Sequence, residues 1–558
     1  MQNADRSFAE RLRRMKGKIY ASGTPYTPIT DNSSDNMLIK IESQIPVRQQ
    51  NPDGSISEVS CCGGSGPTPG TPTTVYSANG TPDCAPFKVL EGSTANDAFV
   101  VNYDVNGQAV WAARILGLGG ADALSAASDA ASNCYVAGLY KSASISIYNK
   151  DDTIFGSLNG TGNDIFLIKY NSAGFAQWAT RIAGVGDRVN VVDIASTSAG
   201  DVFVSGLFRS TSITIYNSNG LSAGTLVNNA VTNGFLLKYD TTGILSWKAG
   251  FTLSDPTANT SGEGIVVSSD NTAVYVTGAY GANLTFGSTG ASTTLAKSGS
   301  APSNGFVVKY NMTGVPQWAA AIAGTTAAKS DSGITVTESG GDVYVGGYYT
   351  GASVTVYNSS GVGVTTLLNI ANGSSMFIAK YTSTGGVTWA TRITASATVS
   401  PLGINSILNG LSIVGGILYV TGVYAVGTVS VYNVGGLSPA FMKSTLNPND
   451  SFVIAYNASG ISQWCNTVTG VPGANYGYGI AGPVTVGAYT SSPLSIEQVG
   501  GLPLTMTNAG LADAYIIKYT SVGAVSWRTR VAGIRVEAST AITTVGTGTY
   551  VVGIYNSI

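Results

Sequence analysis

Apolar and polar residues alternate in short runs along most of the chain, the period-two signature of half-buried strands. Ile145-Ser146-Ile147-Tyr148-Asn149 is one such run, and Ile165 to Tyr170 is a second. Gln177 to Ile182 is a third and Asp201 to Phe208 a fourth. Gly, Asn and Asp gather between the runs, as tight turns require. Residues 145 to 208 therefore predict a four-stranded antiparallel unit. A Gly/Asn/Asp-rich loop follows its first strand, and a loop through Gly184 and Gly186 precedes its last.

The unit recurs. All seven tryptophans, Trp111, Trp178, Trp247, Trp318, Trp389, Trp464 and Trp527, hold one repeating position, roughly seventy residues apart. The Lys-Tyr strand begins at Phe99 and returns at Phe166, Phe235, Phe306, Phe377, Phe452 and Tyr515. The fourth strand carries a glycine in each copy: Gly138, Gly206, Gly278, Gly347, Gly422, Gly487 and Gly553. A glycine inside a strand marks a bulge or a close backbone approach, here expected near a crowded axis. The Ile-Tyr-Asn strand returns at 215–217, 356–358 and 431–433, and has drifted at 284–286 and 494–496. Seven copies of an all-β unit predict a seven-bladed β-propeller over 73–558. The last copy lacks its Ile-Tyr-Asn strand. Thr74 to Gly80 reads like Thr214 to Gly220, so Val75 and Tyr76 are expected to form a strand that closes the ring and removes exposed sheet edges. The units exceed the roughly 40–45 residues of a WD-type blade. The surplus, as at Ser218 to Asn233, reads as loops clustered on one face.

Composition sharpens this picture. Gly makes up 71 of 558 residues and charged side chains only 10%. The net charge of −2 leaves no basic footprint, so no nucleic acid is expected on the propeller. Histidine is absent, which removes Ser-His-Asp and Cys-His catalysis, His-ligated metals and a His-based pH switch. The five cysteines match no zinc spacing. Cys134 and Cys465 read as small core residues. Cys61 or Cys62 either pairs with Cys84 or another subunit, or stays free. No run of 18 apolar residues predicts a membrane span, and no secretory signal is visible. A non-standard secretion route or a processed chain remains open.

Residues 1–62 read as an attachment arm and 63–72 as a Gly/Pro linker. Phe8, Leu12, Met15 and Ile19 fall at helical spacing among Arg6, Arg11, Arg13, Arg14, Lys16 and Lys18. This predicts a short basic amphipathic helix. It is either a solvated terminus or an anchor for a partner protein or an anionic surface. Asn36 to Ile41 is a candidate added strand.

The recurring Trp, the Gly184-Val185-Gly186-Asp187 loop and the Gly341 to Tyr348 strand resemble the SBBP family of seven-bladed propeller repeats. That resemblance covers about 73 to 558 and implies fold more than activity. The opening Asn3-Ala4-Asp5-Arg6-Ser7, the basic run and Cys61-Cys62-Gly63-Gly64 resemble the start of giant DNA virus virion proteins. This implies a capsid-associated component anchored through the arm.

Tyr170 to Trp178 is superficially similar to a quinoprotein propeller repeat, but its Gly-to-Trp spacing is one residue longer. The tryptophans read as packing landmarks. Asp122, Asp187, Glu263, Asp331 and Glu338 are scattered, mostly in loops. Asp122 and Asp187 sit at equivalent repeat positions, which favours turn structure over an acid pair. No catalytic, cofactor or metal residue is assigned. The sequence therefore predicts a non-enzymatic structural or interaction protein displayed on a larger assembly, a virion. The alternatives are a secreted or cell-surface propeller that binds glycan or protein, and a propeller glycoside hydrolase. The arm is expected to meet a capsid or scaffold protein, and the loop-rich face a glycan or receptor.

Overall fold

A computed structural model describes residues 73–556 apart from 79–84, 94, 185–188, 289–290, 300, 325, 327–329, 370–373, 396–405, 426, 446, 448 and 472. It also describes two short strands, Arg48–Gln50 and Ile56–Glu58, which pair with each other. The rest of the arm lies outside the described residues, including Phe8, Arg11, Leu12, Arg13, Arg14, Met15, Lys16, Lys18 and the strand expected at 36–41. So do Cys61, Cys62 and Cys84.

Every regular element among the described residues is a strand. They form seven sheets of six strands each, besides the small pair near the N-terminus. The Trp178 blade shows the plan. From the axis outwards it holds Ala121–Ser128, Cys134–Tyr140, Asp164–Tyr170, Ala176–Gly184, Ser212–Tyr216 and Ser222–Val227. The seven innermost strands touch one another in order, and the last, Ala538–Val545, meets the first, Ala121–Ser128. That contact closes the propeller.

Burial explains the strand sequences. Asp164–Tyr170 lies between two neighbouring blades and is buried at every position except Lys169, hence its nearly continuous apolar run. Ser212–Tyr216 is buried on alternate positions, and Ser222–Val227 has no fully buried position. Each inner strand carries a bulge opposite the glycine strand, as between Ala123 and Ser125. The repeating glycines sit there, in the second strand from the axis. A Cβ at Gly138 would enter the Asp122 carbonyl oxygen and the Phe166 ring. Gly206, Gly278, Gly347, Gly422, Gly487 and Gly553 face the same pairing of inner-strand carbonyl and aromatic ring.

The blades thus have six strands, not the four read from the sequence. Val189–Ser196, an inner strand, lies where the sequence suggested a loop. Its bulge breaks the alternation, and Asn190, Asp193 and Ser196 dilute its apolar pattern. The surplus at Ser218 to Asn233 contains the rim strand Ser222–Val227 rather than only a face loop. The unit boundary also moves. Ser144–Tyr148 and Ile154–Asn159 leave the blade of their flanking strands and complete the preceding Trp111 blade, where Ile147 pairs with Ile115. Each repeat lends its outer hairpin to the blade before it.

Two of these exchanges join the ends of the chain. Thr73–Ser77 pairs with Val525–Ala532 through Thr74 to Ala532 and Val75 to Val531, and Ala85–Leu90 adds the rim strand. Thr529 Oγ1 donates 2.7 Å to the Tyr76 carbonyl, and the Arg530 guanidinium lies 5.0 Å from the Tyr76 ring. The Trp111 blade then takes its inner strands from the C-terminus, with Gly553 opposite Phe99.

Blade latches and a candidate binding cleft

Each tryptophan fastens its blade to the next. Trp178 Nε1 donates 3.0 Å to the Thr241 carbonyl in the turn of the following blade. Trp111 does so to Ser172, Trp247 to Met312, Trp318 to Ser383, Trp389 to Ala458, Trp464 to Ser521 and Trp527 to Val105, all within 2.9–3.1 Å. The turn brings a glycine under the indole. Gly174 has φ +83°, and a Cβ there would lie 2.7 Å from the Trp111 ring. Tight turn, left-handed backbone and ring face therefore require the same residue.

Lysines reinforce four of these seams. Lys169 Nζ shares the Thr241 carbonyl with Trp178, at 3.4 Å. Lys309, Lys380 and Lys518 do the same at Ser383, Ala458 and Val105. Lys238 pairs with Asp201 at 2.8 Å, as Lys380 also does with Asp342 at 2.7 Å, and Lys169 lies 4.0 Å from Asp129. On the opposite side of the tryptophan strand, arginines three residues after the tryptophan stack on the tyrosine of the outer hairpin. Arg114 lies 4.6 Å from the Tyr148 ring, Arg181 4.0 Å from Tyr216 and Arg392 4.2 Å from Tyr432. No expectation from the sequence covered this set, although Trp-x-x-Arg followed by Ile-Tyr-Asn is a readable signal.

The carboxylates weighed from the sequence do not converge. Asp122, Glu263, Asp331 and Glu338 lie on inner strands, not mostly in loops, and Asp187 is outside the described residues. Asp122 faces Leu139 where Asn190 faces Leu207, so the repeat equivalent of Asp122 is Asn190 rather than Asp187. Asp331 and Glu338 share one strand, seven residues and about 23 Å apart, too far for an acid pair. Glu338 accepts from the Gly341 amide at 2.6 Å. Burial raises the Asp331 carboxyl to about 7, against the Gly324 amide that holds it at 2.6 Å. At the ring seam, burial also raises Asp513 to about 7, opposed by Arg530. It drives Glu537 well up too, with Asp513 adding repulsion. Both seam acids are 0% exposed. Cys134 and Cys465 are free and buried, and burial pushes the Cys465 thiol up to about 12.

An open cleft of about 830 Å³ separates the outer hairpin of the Trp111 blade from the Trp178 blade. Phe155 and Gly156 line it from one blade, and Ala179, Arg181 and Tyr216 from the other, together with Ser218 and Gly220. Lys169 and Arg181 are the only charged side chains among the described lining residues. Arg181 is braced by the buried Asp164 carboxylate at 3.3 Å.

No protein-family model matches the chain. It is similar to a mimivirus protein, the uncharacterized WD repeat-containing protein L264 of Acanthamoeba polyphaga mimivirus, at 23% identity over 514 residues. The match covers 78% of this chain and 36% of that protein, so the chain spans about a third of its relative's length. Among solved structures, the Dos1 propeller aligns with a TM-score of 0.27 and 8% identity, over 79% of this chain and 93% of the other. The Neurospora crassa Pan2 WD40 domain aligns with a TM-score of 0.29 and 7% identity, over 77% and 88%.

Proposed function

We propose that the chain is a non-enzymatic interaction protein: a rigid disc that offers its rim and inter-blade clefts to partners. The rim carries this reading. Each blade ends in a strand with no neighbour on its outer side among the described residues. Those strands expose apolar side chains, including Phe87, Phe155, Leu368 and Met442. Unpaired edges with exposed apolar groups are templates for association. WD repeat propellers are a setting in which such surfaces serve as scaffolds, and the mimivirus relative carries that name.

In this reading residues 1–62 hold the disc on a giant-virus particle through a capsid or scaffold protein. The arm's basic amphipathic pattern and the viral relative support it. The test is to probe purified particles for the protein and to compare the full chain with residues 73–558 for capture on capsid fractions. Replacing Arg11, Arg13, Arg14, Lys16 and Lys18 with Gln should abolish capture. Equal capture of both forms, or particles free of the protein, would refute attachment by the arm. A secreted or cell-surface propeller that binds glycan is the second reading, favoured by the cleft beside Phe155 and Arg181.

A further inference from the structure

The cleft gains meaning when the same place is followed to the neighbouring seam. Gly156 pairs with Ile147 in the outer hairpin of the Trp111 blade, as Lys88 pairs with Val75 in the Trp527 blade. Lys88 reaches across its seam. Its ammonium donates 3.2 Å to the Ala112 carbonyl and 2.5 Å to that of Lys150, and pairs with Asp152 at 3.1 Å. Asp152 also lies 3.5 Å from Arg114 Nε. That seam is filled by a Lys-Asp pair between Arg114 and two carbonyls. One blade along, Ala112 becomes Ala179, Lys150 becomes Ser218 and Arg114 becomes Arg181, all lining the cleft. The two filling residues are both glycine there: Gly156 for Lys88 and Gly220 for Asp152. At the next seam Lys248 lies against Gly224 and occupies the equivalent gap from the other side.

We infer that this cleft is a binding site for an acidic saccharide, whose carboxylate takes on Arg181 the place that Asp152 takes on Arg114. Three features fix the class. The charged groups lining the cleft are cationic; Lys169 lies 4.0 Å from Asp129 and Arg181 3.3 Å from Asp164, and Arg181 is placed to take a second carboxylate as Arg114 takes both Glu91 and Asp152. The carbonyls of Ala179 and Ser218, equivalents of those that accept from Lys88, suit hydroxyl donors. Phe155, 39% exposed, and Tyr216 supply ring faces beside Asn217 and Thr241. The volume lies within the ~300–1,000 Å³ of small-ligand sites. The inference deepens the reading of the disc as a binding body and is independent of the arm.

The test titrates the full chain with a galacturonic acid trimer and with sialyllactose, using a galactose trimer and lactose as neutral controls and an oligoglutamate peptide as an acidic one. Binding of the two acidic sugars above both kinds of control is expected. Arg181→Gln should weaken it at least tenfold. The double variant Gly156→Lys/Gly220→Asp rebuilds the neighbouring seam's filler and should abolish it. A Cβ at either glycine meets nothing within 4 Å, and Asp152 itself has φ +63°, so the double variant fits the fold. No sugar binding, equal binding of neutral sugars, preference for the peptide, or unchanged binding by the double variant would each overturn the site. None of these results bears on capture of the arm by capsid fractions.

Discussion

The inner and outer halves of each blade are built on different terms. Next to the axis, backbone meets backbone: seven glycines lie against seven inner-strand carbonyls and aromatic rings, and the arrangement hardly varies. At the rim, side chains set the spacing between blades. One seam is filled by Lys88 and Asp152, another by Lys248, another by Lys443 with Glu497, and one is left open beside Gly156. Close packing of main chain tolerates no side chain and so repeats. A gap spanned by long side chains can be filled, emptied or reshaped without disturbing the ring, so distinctive surfaces arise there.

Cutting the outer half where it also closes the ring should have the largest effect. Deleting residues 73–80 removes the strand on Val525–Ala532 and the Thr73 donor to Glu537 at 2.9 Å. The melting temperature should fall and the exposed edge should drive association. A deletion form that melts like the full chain and stays monomeric in light scattering would contradict the closure. Next comes the inner half. Gly138→Ala forces a Cβ into the Asp122 carbonyl and should cost about 3 kcal/mol in denaturant unfolding. A loss under 0.5 kcal/mol, the usual effect of a surface change, would erase the contrast between halves. Trp178→Phe, which removes one latch hydrogen bond while keeping a ring, should cost about 1 kcal/mol.

Acidity probes the carboxyls buried inside the blades. Asp513 and Asp331 are raised to about 7 and Asp450 to about 6 from an ordinary 3.8, each chiefly by burial. These groups stay protonated in the folded chain after their unfolded counterparts ionise. Their contribution to stability is whole below pH 4 and is lost as pH rises through 6 to 7. Melting temperature should therefore decline from pH 5 to pH 7.5, and Asp513→Asn should flatten the decline. A rise over that range would show these carboxyls ionised in the fold. The smallest effect belongs to the outermost strand: Val227→Lys, at a position 72% exposed, should change stability by under about 0.5 kcal/mol.

Legibility follows the same division. The lysine strand, as at Ile165 to Tyr170, is readable because both faces are buried and Lys169 alone interrupts its apolar run. The inner strand Val189–Ser196 is not, because its bulge spoils the period and Asn190, Asp193 and Ser196 dilute its apolar run. The rim strand Ile154–Asn159 contains Gly156 and exposes four of its six residues, so it passes for a loop. The cleft was invisible for a further reason. Gly156 and Arg181 belong to one repeat but enter different blades, Gly220 comes from the next repeat, and their meaning depends on the residues that fill the equivalent seam.

By itself the sequence determined an all-β chain of seven like units, since alternation, turn glycines and one tryptophan per unit are local features. Tertiary structure decided which sheet each strand enters. The Ile-Tyr-Asn strand has an apolar face but no mark of its partner, and equivalent sheet edges stand on both sides of it. Only the closed ring, with every tryptophan strand needing an outer neighbour, sends each hairpin back to the preceding blade and the first one across to the last.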